Sequence, residues 1–233
     1  MAHEQNMLDI LQEFNLNGND FQCVPLIVGL INDTFLVTNA EGEQFILQKI
    51  NRNVFKNAGV LMNNIGHALP FLTAEVYAQI TFVQTRTGKN YLVKNDDFWR
   101  LMTYIPDSTT YNTTTNTGTA FEAGRIIGKF HRLLKDADVD LFEDTLAKFH
   151  NLEHRAHEFE EALATSEVQK RKIAAEAITK AHHFLKELQH LNNEKLPVRI
   201  CHNDTKLNNI LFSKSTEKAL CLIDLDTIMK GYF

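Results

Sequence analysis

Two short polar clusters near the C-terminal end limit the possible folds of this chain more than any other feature. His202-Asn203-Asp204-Thr205-Lys206-Leu207-Asn208-Asn209 lies between two β-prone runs, Val198–Cys201 and Ile210–Phe212. Asp224-Leu225-Asp226 follows a third run, 219–223, which is almost wholly apolar and so reads as a buried strand. Polar residues at 213–218 supply the turn that folds the third run back. Asp204 and Asn209, from one loop, and Asp224, from the end of the third strand, can then reach one point. A lone Asp or Asn in a polar loop is ordinarily a turn former. Two such clusters in order, each at a strand end, ask for more than turn chemistry. Their oxygens make a hard, anionic set of the kind that magnesium prefers, together with waters and phosphate oxygens. Phosphoryl transfer uses such a set: metal neutralises the phosphates, and one carboxylate orients the attacking hydroxyl and takes its proton. Asp204 suits the carboxylate's role, and Asn209 and Asp224 suit the metal ligands'.

The rest of the chain divides at a polar stretch. Residues 5–14 read as a helix with Met7, Ile10, Leu11 and Phe14 on one face. Phe35-Leu36-Val37 and Phe45-Ile46-Leu47 flank the turn Asn39–Glu43 and predict an antiparallel hairpin, preceded by a loop around Gly29. A helix is expected over 56–68, and strands over 77–84, 90–94 and 98–105. Residues 106–119 are a Thr-rich linker. Thr119 and Glu122 have the spacing of a capping box, opening a helix to about residue 135 with Phe121, Ile127, Phe130 and Leu134 inward. A helix over 152–164 follows, then a long one over 167–191 with Ile173, Ala177, Ala181, Phe184, Leu188 and Leu191 on one face. The expected class is α+β, a β-rich lobe over 1–105 and a helical catalytic lobe over 106–233.

H-x-D-x-x-x-x-N followed by D-x-D resembles the aminoglycoside phosphotransferase and choline kinase branch of the protein-kinase-like fold, the counterpart of the protein-kinase H-R-D-x-x-x-x-N and D-F-G elements. Upstream, Ile31–Phe35, Phe45–Asn51, Val54–Asn57 and Trp99–Met102 are similar to the bacterial N-acetylhexosamine 1-kinase group of that family. The likeness runs from about residue 8 to the end. It implies a two-lobe kinase-like fold, ATP and Mg2+ as cofactors, and a small-molecule acceptor such as a sugar. By the resemblance, Gly29, Asn32 and Thr34 would cover the phosphates, and Lys49 would contact them. Met102, Tyr104 and Ile105 would be the hinge beside adenine. Alternation along a strand leaves Gln48 as the alternative to Lys49. The family's helix acid has no match: Asn51 to Ala74 contains no Asp or Glu, Asn63 stands at the expected position, and Glu75 is the nearest acid. The family continues with further helices after the D-x-D, so the C-lobe is expected to be truncated here.

Composition narrows the alternatives. The net charge of −5 argues against a general nucleic-acid partner. No run approaches the ~20 apolar residues that span a bilayer. The acid-containing N-terminus is not a signal peptide. Three cysteines without metal-ligand spacing suit reduced thiols in a cytoplasm. His150, His154 and His157 have helical spacing, but no cysteine joins them, and a hydrated face explains them better than zinc. His202 is expected to hold loop backbone rather than move protons.

Overall fold

The computed structural model describes residues 2–26, 31–188 and 196–232. Helix α1, Ala2–Leu11, precedes an antiparallel five-stranded sheet with the order β1-β2-β3-β5-β4. The hairpin read from the sequence is β2, Asp33–Asn39, with β3, Gln44–Ile50, in the register Phe35↔Leu47 and Val37↔Phe45. Its turn is closed by Asn39, whose Oδ1 accepts from the Glu43 N–H at 2.8 Å, while Gly42 takes φ 83°, where a side chain would be strained. Strand β1, Phe21–Pro25, forms the edge, where Pro25 leaves no ladder donor missing inside the sheet. Strand β4 is Leu92–Lys94 and β5 is Asp97–Thr103.

One face of this sheet is closed by α1. Val37, Phe45, Leu47, Trp99 and Leu101 pack there with Met7, Ile10, Leu11 and Phe14. The opposite face carries Thr34, Leu36, Ile46, Gln48, Arg100 and Met102, because adjacent strand positions alternate.

The expected strand over 77–84 does not form. β4 takes the edge of β5 only at Asp97–Trp99, so residues 81–83 have just the remaining stretch to pair with. They make a single bridge, Phe82↔Met102, with the bonds Val83 N–H to Leu101 O and Thr103 N–H to Thr81 O, both 2.9 Å. Before them, Tyr77 turns into the main core.

Helix α2, Ala58–Ala68, is capped by Asn57 and buries Leu61, Met62, Asn64 and Ile65. That face shares the main core with Ile126, Phe130, Ile200, Ile210, Phe212, Leu222 and Ile228, so the core runs across the 105/106 boundary. Burying each Phe- or Leu-sized side chain there stabilises by roughly 1.5–3 kcal/mol.

The linker is stitched down rather than loose. Its Ser108–Thr109, β6, pairs with β8, Ile210–Ser213, which in turn pairs with β9, Ala219–Leu222. Helix α3, Thr117–Leu133, is capped by Asn116 rather than Thr119. Its inward row is Glu122, Ile126, Phe130 and Leu134, four apart, and Phe121 is 70% exposed. Glu122 is therefore not a capping-box partner. Its Oε2 accepts from Arg125 and from the Ala219 N–H at 3.0 Å, clamping α3 to β9. The Arg125 guanidinium, with the Ala219 and Lys218 donors, holds the Glu122 carboxyl at about 2, well below its ordinary 4.5. A depressed value contributes stability above about pH 4.5 that is lost as pH falls toward 2. Glu122→Gln is thus expected to destabilise by about 1–3 kcal/mol in urea unfolding at pH 7, with the difference shrinking below about pH 4.5. A difference constant with pH would mean that the charge is not what holds α3 to β9.

Helix α4 is Leu152–Thr165. The long helix expected next is broken at Ala174 into α5, Val168–Ile173, and α6, Ala175–Leu188. Its apolar row does not reach the core: Ile173 is 88% and Phe184 56% exposed, and Leu191 lies outside the described residues. Strand β7, Val198–Cys201, pairs with a strand the sequence did not announce, β10, Met229–Tyr232.

Candidate active site

The loop after β7 carries Asp204. Its Oδ2 accepts from Asn209 Nδ2 at 3.0 Å and from Lys206 Nζ at 2.6 Å, and its carbonyl accepts from Asn209 Nδ2 at 2.9 Å. Both motif residues are thus brought together, and Lys206 joins them. The sequence reading missed Lys206, although its place two residues after the Asp in a loop is a signal for it. Asn203 sits at φ 63° and donates to the carbonyls of Cys201 and Thr227, which fixes the bend before Asp204. His202 is fully buried. Its Nδ1 accepts from the Asp204 N–H at 3.3 Å, which leaves Nε2 to donate to Ile223 O at 2.8 Å. Burial pushes its pKa down, so the ring stays neutral and holds two segments together.

Asp224 follows β9 at φ 60°, ψ 56°, a left-handed conformation that a residue with a Cβ holds only when its surroundings enforce it. A short 3-10 turn, Leu225–Thr227, comes next. The segment is held from several sides: Thr227 Oγ1 donates to His202 O at 2.7 Å, and Asn64 Nδ2, from α2, donates to Ile228 O at 2.8 Å. Asn64, not the exposed Asn63, is the helix residue that reaches the site, and it does so as a neutral amide. Burial foremost, then the charge of Asp226, pushes the Asp224 carboxyl up to about 6, against the pull of Arg100 and Lys206.

Above these loops lies the sheet face that carries Gln48. Gln48 Oε1 accepts from Arg100 Nε and Nη2 at 2.9 and 2.7 Å, and its Nε2 donates to Thr34 Oγ1 at 3.1 Å. Asn32 donates to Asp226 Oδ2 at 2.7 Å. Lys49 is not in this group. It pairs with Asp97 at 2.7 Å and lies over the Trp99 ring, on the α1 face. The alternation that left Gln48 open as an alternative puts Gln48, not Lys49, on the face of Arg100, which pairs with Asp226, and this corrects the expectation for Lys49. Met102 is on the Gln48 face, with Leu36 and Ile46 beside it. Tyr104 spends its N–H on Gln44 O, whereas the Ile105 N–H has no acceptor among the described residues. Gly29 lies outside the described residues.

Among the described residues no cluster of three His, Cys, Asp or Glu could hold a metal unaided. The donors do fit a metal shared with phosphates. The Asn209 amide nitrogen is used on Asp204, and no donor among the described residues reaches the Asn209 Oδ1 or the Asp224 carboxylate. A nucleotide-bound divalent ion needs only one or two such protein ligands.

Against known families, a sequence model of the phosphotransferase enzyme family matches residues 22–233. Among solved structures, the chain is similar to a microcompartment-associated aminopropanol kinase (17% identity, TM-score 0.68, covering 98% of this chain and 71% of that one). It is also similar to an aminoglycoside phosphotransferase from Alicyclobacillus acidocaldarius subsp. acidocaldarius DSM 446 (14%, 0.64, 96% and 67%). A third is an amicoumacin kinase in complex with AMP-PNP, Ca2+ and Ami (14%, 0.63, 100% and 66%). At such identities the likeness is one of fold, and the chain spans about two thirds of the length of these structures.

Proposed function

Because the chain belongs to the phosphotransferase enzyme family, a family of small-molecule kinases, we propose that it transfers the γ-phosphoryl group of ATP to a hydroxyl of a small molecule. The observation that carries this reading is the convergence of Asp204 and Asn209, bonded to each other on one loop, beside the half-buried Asp224. Asp204 accepts the hydroxyl proton as the acceptor oxygen bonds to the γ-phosphorus. The bond from that phosphorus to the bridging oxygen breaks, and ADP leaves. Asn209 Oδ1 and the Asp224 carboxylate would hold a divalent ion, Mg2+ by preference, which when bound would neutralise the phosphate charge. Lys206, paired to Asp204, adds a positive charge on the same side. Leu36, Ile46 and Met102 offer an apolar face to adenine, and the free Ile105 N–H a hydrogen bond. Residues 1–105 act as the nucleotide lobe and 106–233 as the catalytic lobe.

For the acceptor, the segments Ile31–Phe35, Phe45–Asn51, Val54–Asn57 and Trp99–Met102 favour the anomeric hydroxyl of an N-acetylhexosamine. No described helix is long and apolar enough to cross a membrane, and the free cysteines suit a cytoplasmic setting. ADP release with MgATP and N-acetylglucosamine, N-acetylgalactosamine, choline, homoserine or an aminoglycoside is the test. Turnover is expected with an N-acetylhexosamine. Turnover with another acceptor would keep the kinase and discard the sugar. MgATP binding without turnover on any acceptor would favour a second reading, a nucleotide-binding chain without transfer. That second reading has its own support in Lys49, which is turned away from the site.

A further inference from the structure

The side chains on the inner sheet face close into a ring. Asn32 donates to Asp226 Oδ2, and Arg100 Nη1 lies 2.6 Å from Asp226 Oδ1 as an ion-pair contact. Arg100 forks onto Gln48, Gln48 donates to Thr34, and Thr34 Oγ1 returns to Asn32 O at 3.4 Å. The ring joins Asn32, just before β2, to β2, β3, β5 and the turn after Asp224. The Arg100 and Asp226 side chains are 3% and 2% exposed. Withdrawing two charges from water gains little net stability over apolar side chains of the same size, so stability alone is a poor reason for the pair. What the pair does contribute is direction. Asp226 is two residues after Asp224, and its carboxylate is restrained by the Arg100 ion pair from β5 and by the Asn32 hydrogen bond from just before β2, which opposes unwinding of the backbone at 224–227. The amides of Asn64 and Asn203 and the Thr227 hydroxyl hold the same turn from the helix and catalytic-loop sides, and among the described residues Arg100, from β5, and Asn32, just before β2, hold it from the sheet side.

We propose that Arg100 is a positioning residue for the metal site: braced by Gln48 and closed on Asp226, it fixes Asp224 in its left-handed conformation and ties that conformation to the inner face of the five-stranded sheet. This rests on Asp224 being the metal-binding carboxylate. Arg100 touches neither metal nor phosphate in this role. With Lys49 on the far face, the cation inside the sheet acts through the protein instead of on the ligand.

The test compares the wild type with Arg100→Lys and with the double variant Arg100→Met/Asp226→Leu. The double variant replaces the pair by apolar side chains and keeps the fold even where Arg100→Met alone, with Asp226 left buried and unpaired, does not. Hydrogen exchange is read at the Ile228 amide, bonded to Leu225 O, and the Ile223 amide, bonded to Asn209 O. In the folded double variant both are expected to exchange at least about tenfold faster, while α2 and β2–β3 keep wild-type protection. Mn2+ binding in the presence of AMP-PNP is expected to weaken about 10–100-fold, the usual consequence of losing an outer-shell partner. The rate should fall with a higher half-saturating Mg2+ and an unchanged acceptor KM. Arg100→Lys, which keeps the charge on Asp226 but not the fork onto Gln48, should recover part of both losses. A folded double variant with wild-type exchange at Ile223 and Ile228 would overturn the proposal, as would wild-type Mn2+ affinity with normal turnover. If the wild type itself bound no metal–nucleotide, the kinase reading would fail, and the exchange comparison would still decide whether Arg100 holds the turn.

Discussion

Asp204→Asn is expected to lower kcat by about 10²–10⁴-fold, the usual worth of a positioned general base, while MgATP binding stays close to wild type. The split follows from the geometry. Oδ2 of Asp204 receives both donors, Asn209 at 3.0 Å and Lys206 at 2.6 Å. An asparagine can keep its carbonyl oxygen there and turn its amide nitrogen to the other side, so the loop retains its shape. It cannot accept a proton from the acceptor hydroxyl, and it no longer offsets the Lys206 charge. His202 and Asn203, which fix the bend, are untouched. ADP release gives kcat, and a thermal shift with MgATP reports binding. A variant that bound the nucleotide and turned over at the wild-type rate would remove Asp204 from the role of base.

The parts of the molecule that were legible in the sequence depend on neighbours close in the chain. The β2–β3 hairpin followed from two β-prone runs and the Asn39–Glu43 turn, and α2 from its apolar spacing. Asp204 and Asn209 stood out because the short loop 202–209, between two short strands, leaves few places for them to go. What escaped depends on distant partners. Arg100 and Asp226 are brought together by packing, and nothing near either residue announces the pair. Whether Gln48 or Lys49 faces the site depends on which side of the sheet α1 covers, a fact that lies outside β3 altogether. Residues 77–84 have the composition of a strand but find part of their edge, Asp97–Trp99, already taken by β4. The row from Ile173 to Leu188 keeps the helical period read for it, broken at Ala174, yet lies on the surface. Periodicity shows that a face is apolar, and only packing decides whether that face is covered.

Asp224→Asn is expected to move activity and stability in opposite directions, which distinguishes a site residue from a structural one. Burial and the neighbouring Asp226 lift the wild-type carboxyl from 3.8 to about 6, so the folded chain holds the Asp224 proton more tightly than the unfolded chain does. A raised value means that the stability it carries is fully present below the ordinary carboxylate range and is lost as pH rises through about 6. At pH 7, without metal, the wild type therefore carries a half-buried charge that no described donor meets. Asparagine copies the neutral form and removes that cost, so the metal-free variant should be more stable than the wild type by about 1–3 kcal/mol at pH 7, with the gap closing below about pH 5. Mg2+ with a nucleotide should stabilise the wild type strongly and the variant little, because only the carboxylate repays the metal for its lost water. Turnover should fall roughly a thousandfold, since a metal-ion contribution of several kcal/mol to the transition state is at stake. Urea unfolding at pH 5 and pH 7, with and without MgATP, reads the first two effects, and ADP release reads the third. An Asn variant that was less stable than the wild type without metal, yet equally active with it, would make Asp224 a structural residue and leave the metal site without its charged ligand.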